Sequence, residues 1–564
     1  MQITVEKRTG TYADALEAIG WASLLAELGF EAHGVRIVDK GPYFMIETKT
    51  DIPPDKWQAP DVGYPYIWEC GKEPKPPCNW ILDYQKEKDK RQAYQKARER
   101  SGRKSVVAQQ LGGEDPSKPV PELELAIFLA NMRKGWKSDK ELAKWISQDR
   151  QRALEWVKVN LKIPGASVPN ELPKITNSQM LNPISGKGIH VAKTQWKAPA
   201  AINETLIDGF AEWMKLRGLF RAMLPFRNRN DFKFFVIEPA DISIADLESV
   251  RAELSNMNLW GGIRLDIHAT LRCAEVLIMH LDRLQSSIPR QRWMQRMTPR
   301  SIITGLRQAY FMSLGQAAAL MNEALFPLPD WFNIKEKSDA DAYLEIIGEA
   351  IGRPGDPNSK GCLSSLKEDN SDEGRILQQY RQWLLTGDLF ELLEFHYQFA
   401  VHGMQKEAVK KFSTQNLTML ITKSYSEEYP MLKEIVENSG FQSVARAIRN
   451  CTIYARSLDN REVRFGLAQQ LKQKIKGGNN EFAAALSEFV QDQNWEVQHK
   501  LNGKGHMVSV ADLNAVLSLI DKHGAELVGS LLLAYGYAQA EKVSGRDEKD
   551  EGSGAASATE NGNE

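Results

Sequence analysis

Cysteine is scarce in this chain: five residues in 564, at Cys70, Cys78, Cys273, Cys362 and Cys451. The number is odd, the spacings are wide and no CxxC occurs. A disulfide framework and a structural zinc site are therefore not expected, and sparse unpaired cysteine suits a reducing cytoplasm. Long apolar runs are missing too. The longest, Ala274–Leu281 and Leu527–Ala538, fall short of the ~20 residues a membrane helix needs. The opening MQITVEKRTG lacks the apolar core of a signal peptide. A soluble, cytoplasmic protein with no membrane partner is expected.

Net charge is nearly absent. Lys plus Arg is 72 against 73 Asp plus Glu, a formal charge of -1. That excludes a uniformly basic nucleic-acid coat, but not local basic faces balanced elsewhere, because binding is local. Catalytic signatures are missing as well. A phosphate-binding GxxxxGK[ST] ending at Gly186-Lys187 would need glycine where Leu181 stands. GxGxxG fails because Val191 occupies the last glycine position, and HExxH and GxSxG do not occur. No cofactor, no metal site and no catalytic activity are expected. One alternative is a metal-dependent nucleic-acid enzyme using Glu114 and Asp115 in the sequence GGED. Such chemistry needs both carboxylates on a turn between two strands, whereas this turn follows a charged helical stretch and precedes Pro-Ser-Lys-Pro. Another alternative is a protein-only helical scaffold.

What is present reads as α+β: a mixed α/β N-terminal and middle region, then an all-helical C-terminal bundle. Gln2–Glu6 is β-prone, and Ala13–Leu28 repeats apolar residues at helical spacing. Val35–Val38 and Tyr43–Glu47 flank the turn Asp39-Lys40-Gly41-Pro42. Phe232–Glu238 (FKFFVIE) predicts the best strand of the middle region. Helices are predicted over Asp139–Leu161, Asn203–Arg217, Asp246–Leu254, Gly262–Leu284, Ile302–Ala324, Ala340–Ile351, Glu373–Leu385 and Leu389–His402. Beyond Phe412 no strand is predicted. The expected organisation is 1–403, a helical bundle over 404–543, and a polar, acidic, Gly/Ser-rich tail over 544–564 that should be disordered.

Positive charge is concentrated in several segments. Tyr84–Lys104 carries nine basic and three acidic residues and reads as a solvated helical face of mixed sign. Lys215–Lys233 has six basic residues and one acid, including Arg227 and Arg229, with Phe220, Phe226 and Phe232 interleaved. Arg283–Arg307 has six arginines, among them Arg290, Arg292 and Arg296, and no acid. Arginine forks suit phosphate, and interleaved aromatics offer stacking faces to unpaired bases. The short motif NPISGKG (Asn182–Gly188), with Lys193 nearby, combines glycines that allow close approach with an Asn and lysines suited to base edges and phosphate.

Phe441–Lys476 is the most informative segment, with eight basic and two acidic residues. At helical spacing Phe441, Val444, Ala445, Ile448, Thr452 and Ala455 share one face. Arg446, Arg449 and Arg456 gather on one flank of it. Leu467, Leu471 and Ile475 predict a second helix bearing Lys472, Lys474 and Lys476. Further helices are predicted over Asn480–Asp492 and Val510–Ala540, the latter preceded by Ser509 with Asp512 at its third position, a capping-box-like start.

The C-terminal runs FQSVARAIRNCTIYARS, VRFGLAQQLKQKIK, FAAALSEFVQDQNWE and VSVADLNAVLSLIDKHGAELVGSLLLAYGYA resemble the small-subunit-like bundle of type I CRISPR effector complexes (Cascade). QMLNPISGKGIHVAKTQW resembles a loop region of the corresponding large subunit, of the I-A/I-B or Myxan kind. The likeness covers about 130 C-terminal residues and is thinner before them. It implies a non-catalytic subunit that senses the PAM in target double-stranded DNA beside the crRNA handle and stabilises the R-loop. Implied partners are crRNA, the handle-binding, backbone and small subunits, and a helicase-nuclease or transposition proteins. By the same resemblance Asn182, Lys187 and Lys193 would lie on the PAM side. Arg446, Arg449 and Arg456 would lie on the basic helix of the bundle. In such families the bundle is sometimes also made from an internal start, and Met404, Met419 and Met431 stand where that start would fall.

Overall fold

The structure, a computed structural model, describes residues 1–101, 125, 134–173, 180–183, 208–228, 231–255, 263–281, 298–313, 318–354, 359–404, 411–455, 463–501, 503 and 505–540. They form an α+β fold in two compact units, Met1–Glu336 and Lys337–Glu564.

The first unit is built on a buried helix. Strand β1 (Gln2–Glu6) leads into α1 (Tyr12–Glu27), then β2 (Val35–Asp39) and β3 (Tyr43–Thr48). The β2–β3 turn needs the left-handed backbone that glycine tolerates, and Gly41 supplies it at φ +82°. Short strands β4 (Tyr66–Trp68) and β5 (Ile81–Asp83) pair in parallel, and α2 (Tyr84–Ser101) grows directly out of β5. Helices α3 (Lys134–Gln148) and α4 (Arg150–Asn160) follow, then α5 (Gly209–Ala222), β6 (Met223–Asn228), β7 (Asp231–Pro239), β8 (Asp241–Ser243), α6 (Ile244–Ser255), α7 (Ile263–Met279), β9 (Ile303–Ser313) and β10 (Ala318–Pro327).

Two antiparallel sheets result, in the orders β1-β3-β2-β8 and β10-β9-β7-β6. The chain passes from one to the other where β7 gives way to β8. Helix α1 packs on strands of both sheets and on α5. It is apolar nearly all round, as a helix enclosed on every side must be. Its crossing with α5 is set by two glycines. A methyl group on Gly20 would lie 1.9 Å from the Met214 carbonyl oxygen, and one on Gly218 would lie 2.0 Å from that of Leu16.

Two predicted elements differ. Asp139–Leu161 is two helices, because the Asp149 side chain accepts from Arg152 N–H and starts α4 afresh. Ile302–Ala324 is not a helix but the β9–β10 hairpin. Strand β9 is central, flanked by β7 and β10. Gly305 lets it approach β10 closely, since a Cβ there would meet the Phe326 carbonyl oxygen at 2.3 Å. Pairing on both sides overrides a local pattern that suits a helix equally well.

The second unit is helical: α8 (Lys337–Ile351), α9 (Ser371–Thr386), α10 (Leu389–Met404), α11 (Thr414–Ser424), α12 (Leu432–Glu437), α13 (Ser439–Cys451), α14 (Leu467–Lys476), α15 (Asn479–Lys500), α16 (Val510–His523) and α17 (Ala525–Gly536). Helix α13 carries the predicted apolar face, and Phe441, Val444, Ala445 and Ile448 are fully buried against α16 and α17. Ser509 caps α16, accepting from Asp512 N–H at 3.0 Å. The predicted single helix over 510–540 breaks at Gly524, whose φ of +89° no α-helix accommodates.

The boundary lies at Glu336/Lys337 rather than at 403/404. Helix α10 packs on α17, and Phe395, His396 and Phe399 of α10 surround the Phe412 ring at 5.6, 5.0 and 5.1 Å. The helices before residue 404 thus share a core with the bundle that follows.

Candidate nucleic-acid interface

In the first unit the predicted base-reading loop begins from a buried anchor. Met180 and Leu181 are buried, and the Tyr12 hydroxyl donates to the Met180 carbonyl at 2.7 Å. The Asn182 amide nitrogen donates to both Glu212 carboxylate oxygens at 2.9 Å, and its oxygen accepts from Lys215 Nζ at 2.7 Å. Glu212 and Lys215 are themselves a buried ion pair. Asn182 therefore holds the loop to α5, a different role from the DNA contact expected of it. Lys187 and Lys193 lie outside the described residues.

The described cations of Lys215–Lys233 do not form an open row. Lys215 pairs with Glu212, Arg217 with Glu27 at 2.9 Å, Arg221 with Glu248 at 2.5 Å, and Lys233 with Asp266 at 2.5 Å. Arg217 is wholly buried, and burial lowers its pKa even with Glu27 beside it. Its Nη1 donates to the Asp61 carbonyl at 2.9 Å and so staples the 61–64 loop to α5. Phe220 and Phe232 are core residues rather than stacking faces. Arg227 is in β6, opposite Phe232, with its side chain outside the description, and Arg229 is outside altogether. Of the Arg283–Arg307 run, Arg290, Arg292 and Arg296 also lie outside. Arg300 pairs with Asp330 at 3.0 Å, and Arg307 joins Glu238 at 2.7 Å and Glu323 at 3.1 Å.

The second unit divides its predicted cations into two kinds. Arg446 is exposed on α13. Arg449, one turn on, is only 5% exposed. Its guanidinium donates to the carbonyls of Tyr535 and Ala538 at 2.7 and 2.8 Å. It closes the C-terminal end of α17, where carbonyls lack intrahelical partners, and so is not available to phosphate. Sequence spacing put Arg446 and Arg449 on one flank, but only packing against α17 distinguishes them. Lys472 reaches back to α10, where it pairs with Glu394 at 2.5 Å and sits 4.7 Å over the Tyr397 ring. Lys474 is exposed, 3.6 Å from Glu481, and Lys476 is exposed. Arg456 lies outside the described residues.

No protein-family model and no curated protein matches this chain. Among the described residues no group of three His, Cys, Asp or Glu side chains is placed to hold a metal ion, and no helix is long and apolar enough to cross a membrane. Glu114 and Asp115 lie outside the described residues. Exposed cations remain at Arg446, Lys474 and Lys476, and on α2 at Lys86, Lys90 and Lys96. The sequence reading of Tyr84–Lys104 as a solvated helical face agrees with the exposure of Lys86, Lys90 and Lys96.

Proposed function

We propose that this chain is a non-catalytic subunit of a crRNA-guided type I CRISPR surveillance complex. In this reading it recognises the PAM in target DNA, stabilises the R-loop, and takes part in recruiting a downstream nuclease or transposition machinery. One observation carries the reading: the C-terminal runs that resemble the Cascade small-subunit-like bundle form five consecutive helices, α13 to α17, packed on one another. Arg446 lies exposed at that bundle's surface, as do Lys474 and Lys476. In a guided complex, base pairing supplies sequence specificity while protein holds backbone and PAM. The bundle's exposed cations would hold unwound DNA, and Lys187 and Lys193 would lie on the PAM side. Expected partners are crRNA, target duplex, and the handle-binding, backbone and small subunits. The test is native purification followed by sequencing of the associated RNA. Short RNAs sharing one 5′ handle are expected, together with other subunits of the complex. A preparation free of RNA, from cells carrying a CRISPR array, would sink the reading.

A further inference from the structure

Strand β4, the residues just before it, and helices α3 and α5 enclose a small pocket in the first unit. Its walls are aromatic: Tyr64, Tyr66 and Phe220 line it, and all three are buried. The Tyr64 and Phe220 rings lie nearly parallel, with centroids 6.3 Å apart. Asp139 of α3 lines the pocket with them. The space admits one group about the size of a water molecule.

The donors around this pocket are engaged. The Tyr64 hydroxyl donates to the Asp139 main-chain carbonyl at 2.8 Å, and the Tyr66 hydroxyl to Glu73 at 3.2 Å. Lys140 Nζ donates to the other Glu73 oxygen at 2.5 Å and lies 5.7 Å over the Tyr66 ring. The Asp139 carboxyl is different. The residue is 8% exposed, and its Oδ2 has no hydrogen-bond partner among the described residues. Burial, and then the Glu212 carboxylate on α5, hold this carboxyl well above the usual carboxylate range. The cations nearby answer other acids: Lys140 pairs with Glu73, Lys215 with Glu212, and Arg217, which acts on Tyr64, with Glu27.

A buried carboxyl ordinarily has a donor or a cation against it. The pocket narrows what that group is. An anion would meet both Asp139 and Glu212. A metal ion needs several ligands, and among the described residues no three His, Cys, Asp or Glu side chains are placed to share one. A sugar or a nucleobase exceeds the space. Aromatic rings favour a cation over their faces. A compact cation that also donates hydrogen bonds satisfies every wall.

We propose that this pocket binds a primary ammonium group, held by the Asp139 carboxylate among the rings of Tyr64, Tyr66 and Phe220. The neutral Asp139 carboxyl gives up its proton to solvent as the ammonium enters, so one proton leaves for each cation bound. The proposal goes beyond the CRISPR reading and needs no nucleic acid. The experiment is titration calorimetry of the full-length chain with methylammonium chloride and, separately, with N-acetyl-lysine methylamide, each against sodium chloride at equal ionic strength. Two buffers of different ionisation enthalpy give the proton count. Both probes should bind with release of close to one proton, and more tightly as pH rises toward the Asp139 pKa. The tighter probe names the source, a free amine or a lysine side chain. Trimethylated lysine, too large for the space, should bind at least about tenfold more weakly. Asp139→Asn keeps the size of the side chain and should weaken binding at least about tenfold and abolish proton release. Tyr66→Phe keeps the ring and should bind as the parent does. Thermal unfolding of both variants shows that they are folded. Heats no larger than those of sodium chloride would mean that water alone fills the pocket and would overturn the proposal. So would parent-like binding by Asp139→Asn, or binding without proton release, which would make the ligand a neutral donor. The presence or absence of guide RNA on native purification decides the CRISPR reading and leaves this result standing.

Discussion

Arg449 donates through Nη2 to the main-chain carbonyl of Tyr535 at 2.7 Å, and so ties α13 to the last turn of α17 across 86 positions of sequence. A second bond, from Nε to the Ala538 carbonyl at 2.8 Å, fixes the guanidinium in plane. Removing it would take the side-chain donor from both carbonyls and leave Tyr535 with only the long Ala538 N–H bond at 3.4 Å. Arg449→Met is therefore expected to cost the second unit about 2–4 kcal/mol, read by urea unfolding. Arg446→Met, three residues earlier but exposed, should change stability by less than about 0.5 kcal/mol. Equal losses at the two sites would contradict this division.

The same division separates stability from binding. If the chain has the function proposed above, charge reversal at Arg446, Lys474 and Lys476 lowers R-loop yield in the purified complex and flattens its salt dependence, leaving the melting temperature where it was. Encounter with the PAM-bearing duplex should survive. R-loop yield equal to the parent's would remove these three residues from the interface.

At the α1–α5 crossing the direction of a glycine substitution reverses. Within an ordinary helix Gly→Ala stabilises by about 0.5–1 kcal/mol. Gly348 on α8 has room, its nearest neighbour being an Arg353 methylene at 3.5 Å, and Gly348→Ala should show that gain. Gly20→Ala and Gly218→Ala drive a methyl into backbone oxygens at 1.9 and 2.0 Å. Each should destabilise the first unit by about 1–3 kcal/mol or more. Calorimetric traces of the three variants give the sign directly.

The two units should respond to pH in opposite senses at one residue each. Burial raises the Glu17 pKa to about 7 from an ordinary 4.5, a shift that Lys215 and Arg8 offset only in part. Between those values the unfolded chain loses its proton and the folded chain keeps it, so this residue's contribution falls as pH rises from 4.5 to 7. Glu17→Gln should remove a decline of up to about 3 kcal/mol. Burial lowers His396 to about 3 from 6.5. Here the unfolded chain gains a proton that the folded chain refuses, so the second unit weakens as pH falls from 6.5 toward 3. His396→Phe should flatten that acid limb in unfolding curves collected across the range.

Legibility followed locality. The β2–β3 hairpin, α1, the buried face of α13 and the Ser509 cap are specified by spacing and turn chemistry within a few residues, and all are found where the sequence places them. Strands β9 and β10 were read as a helix because their apolar residues fit either period. Only the neighbouring β7 decides the matter, and β7 lies some 70 residues upstream. The basic runs failed in a related way. A sequence shows how many cations a segment holds but not where the carboxylates of other segments fall. Glu27, Glu248 and Asp266 arrive from α1, α6 and α7 to meet Arg217, Arg221 and Lys233. The lysines of α2 read as a solvated face in the sequence, and Lys86, Lys90 and Lys96 are exposed as that reading has them.

Phe412 determines what a separately translated C-terminal fragment would inherit. Its ring sits in the aromatic cluster of α10, and its carbonyl accepts from Gln539 N–H at 2.8 Å, beside the Thr414 N–H bond to the Gln539 carbonyl at 2.9 Å. A product started at Met419 or Met431 would lack both bonds and leave its own C-terminal segment unlatched. One started at Met404 would keep the latch but lose nearly all of α10, uncovering the face of α17 on which that helix packs and leaving Lys472 without Glu394. In the full chain that face of α17 is covered by α10, and Glu394 is what holds Lys472 against it.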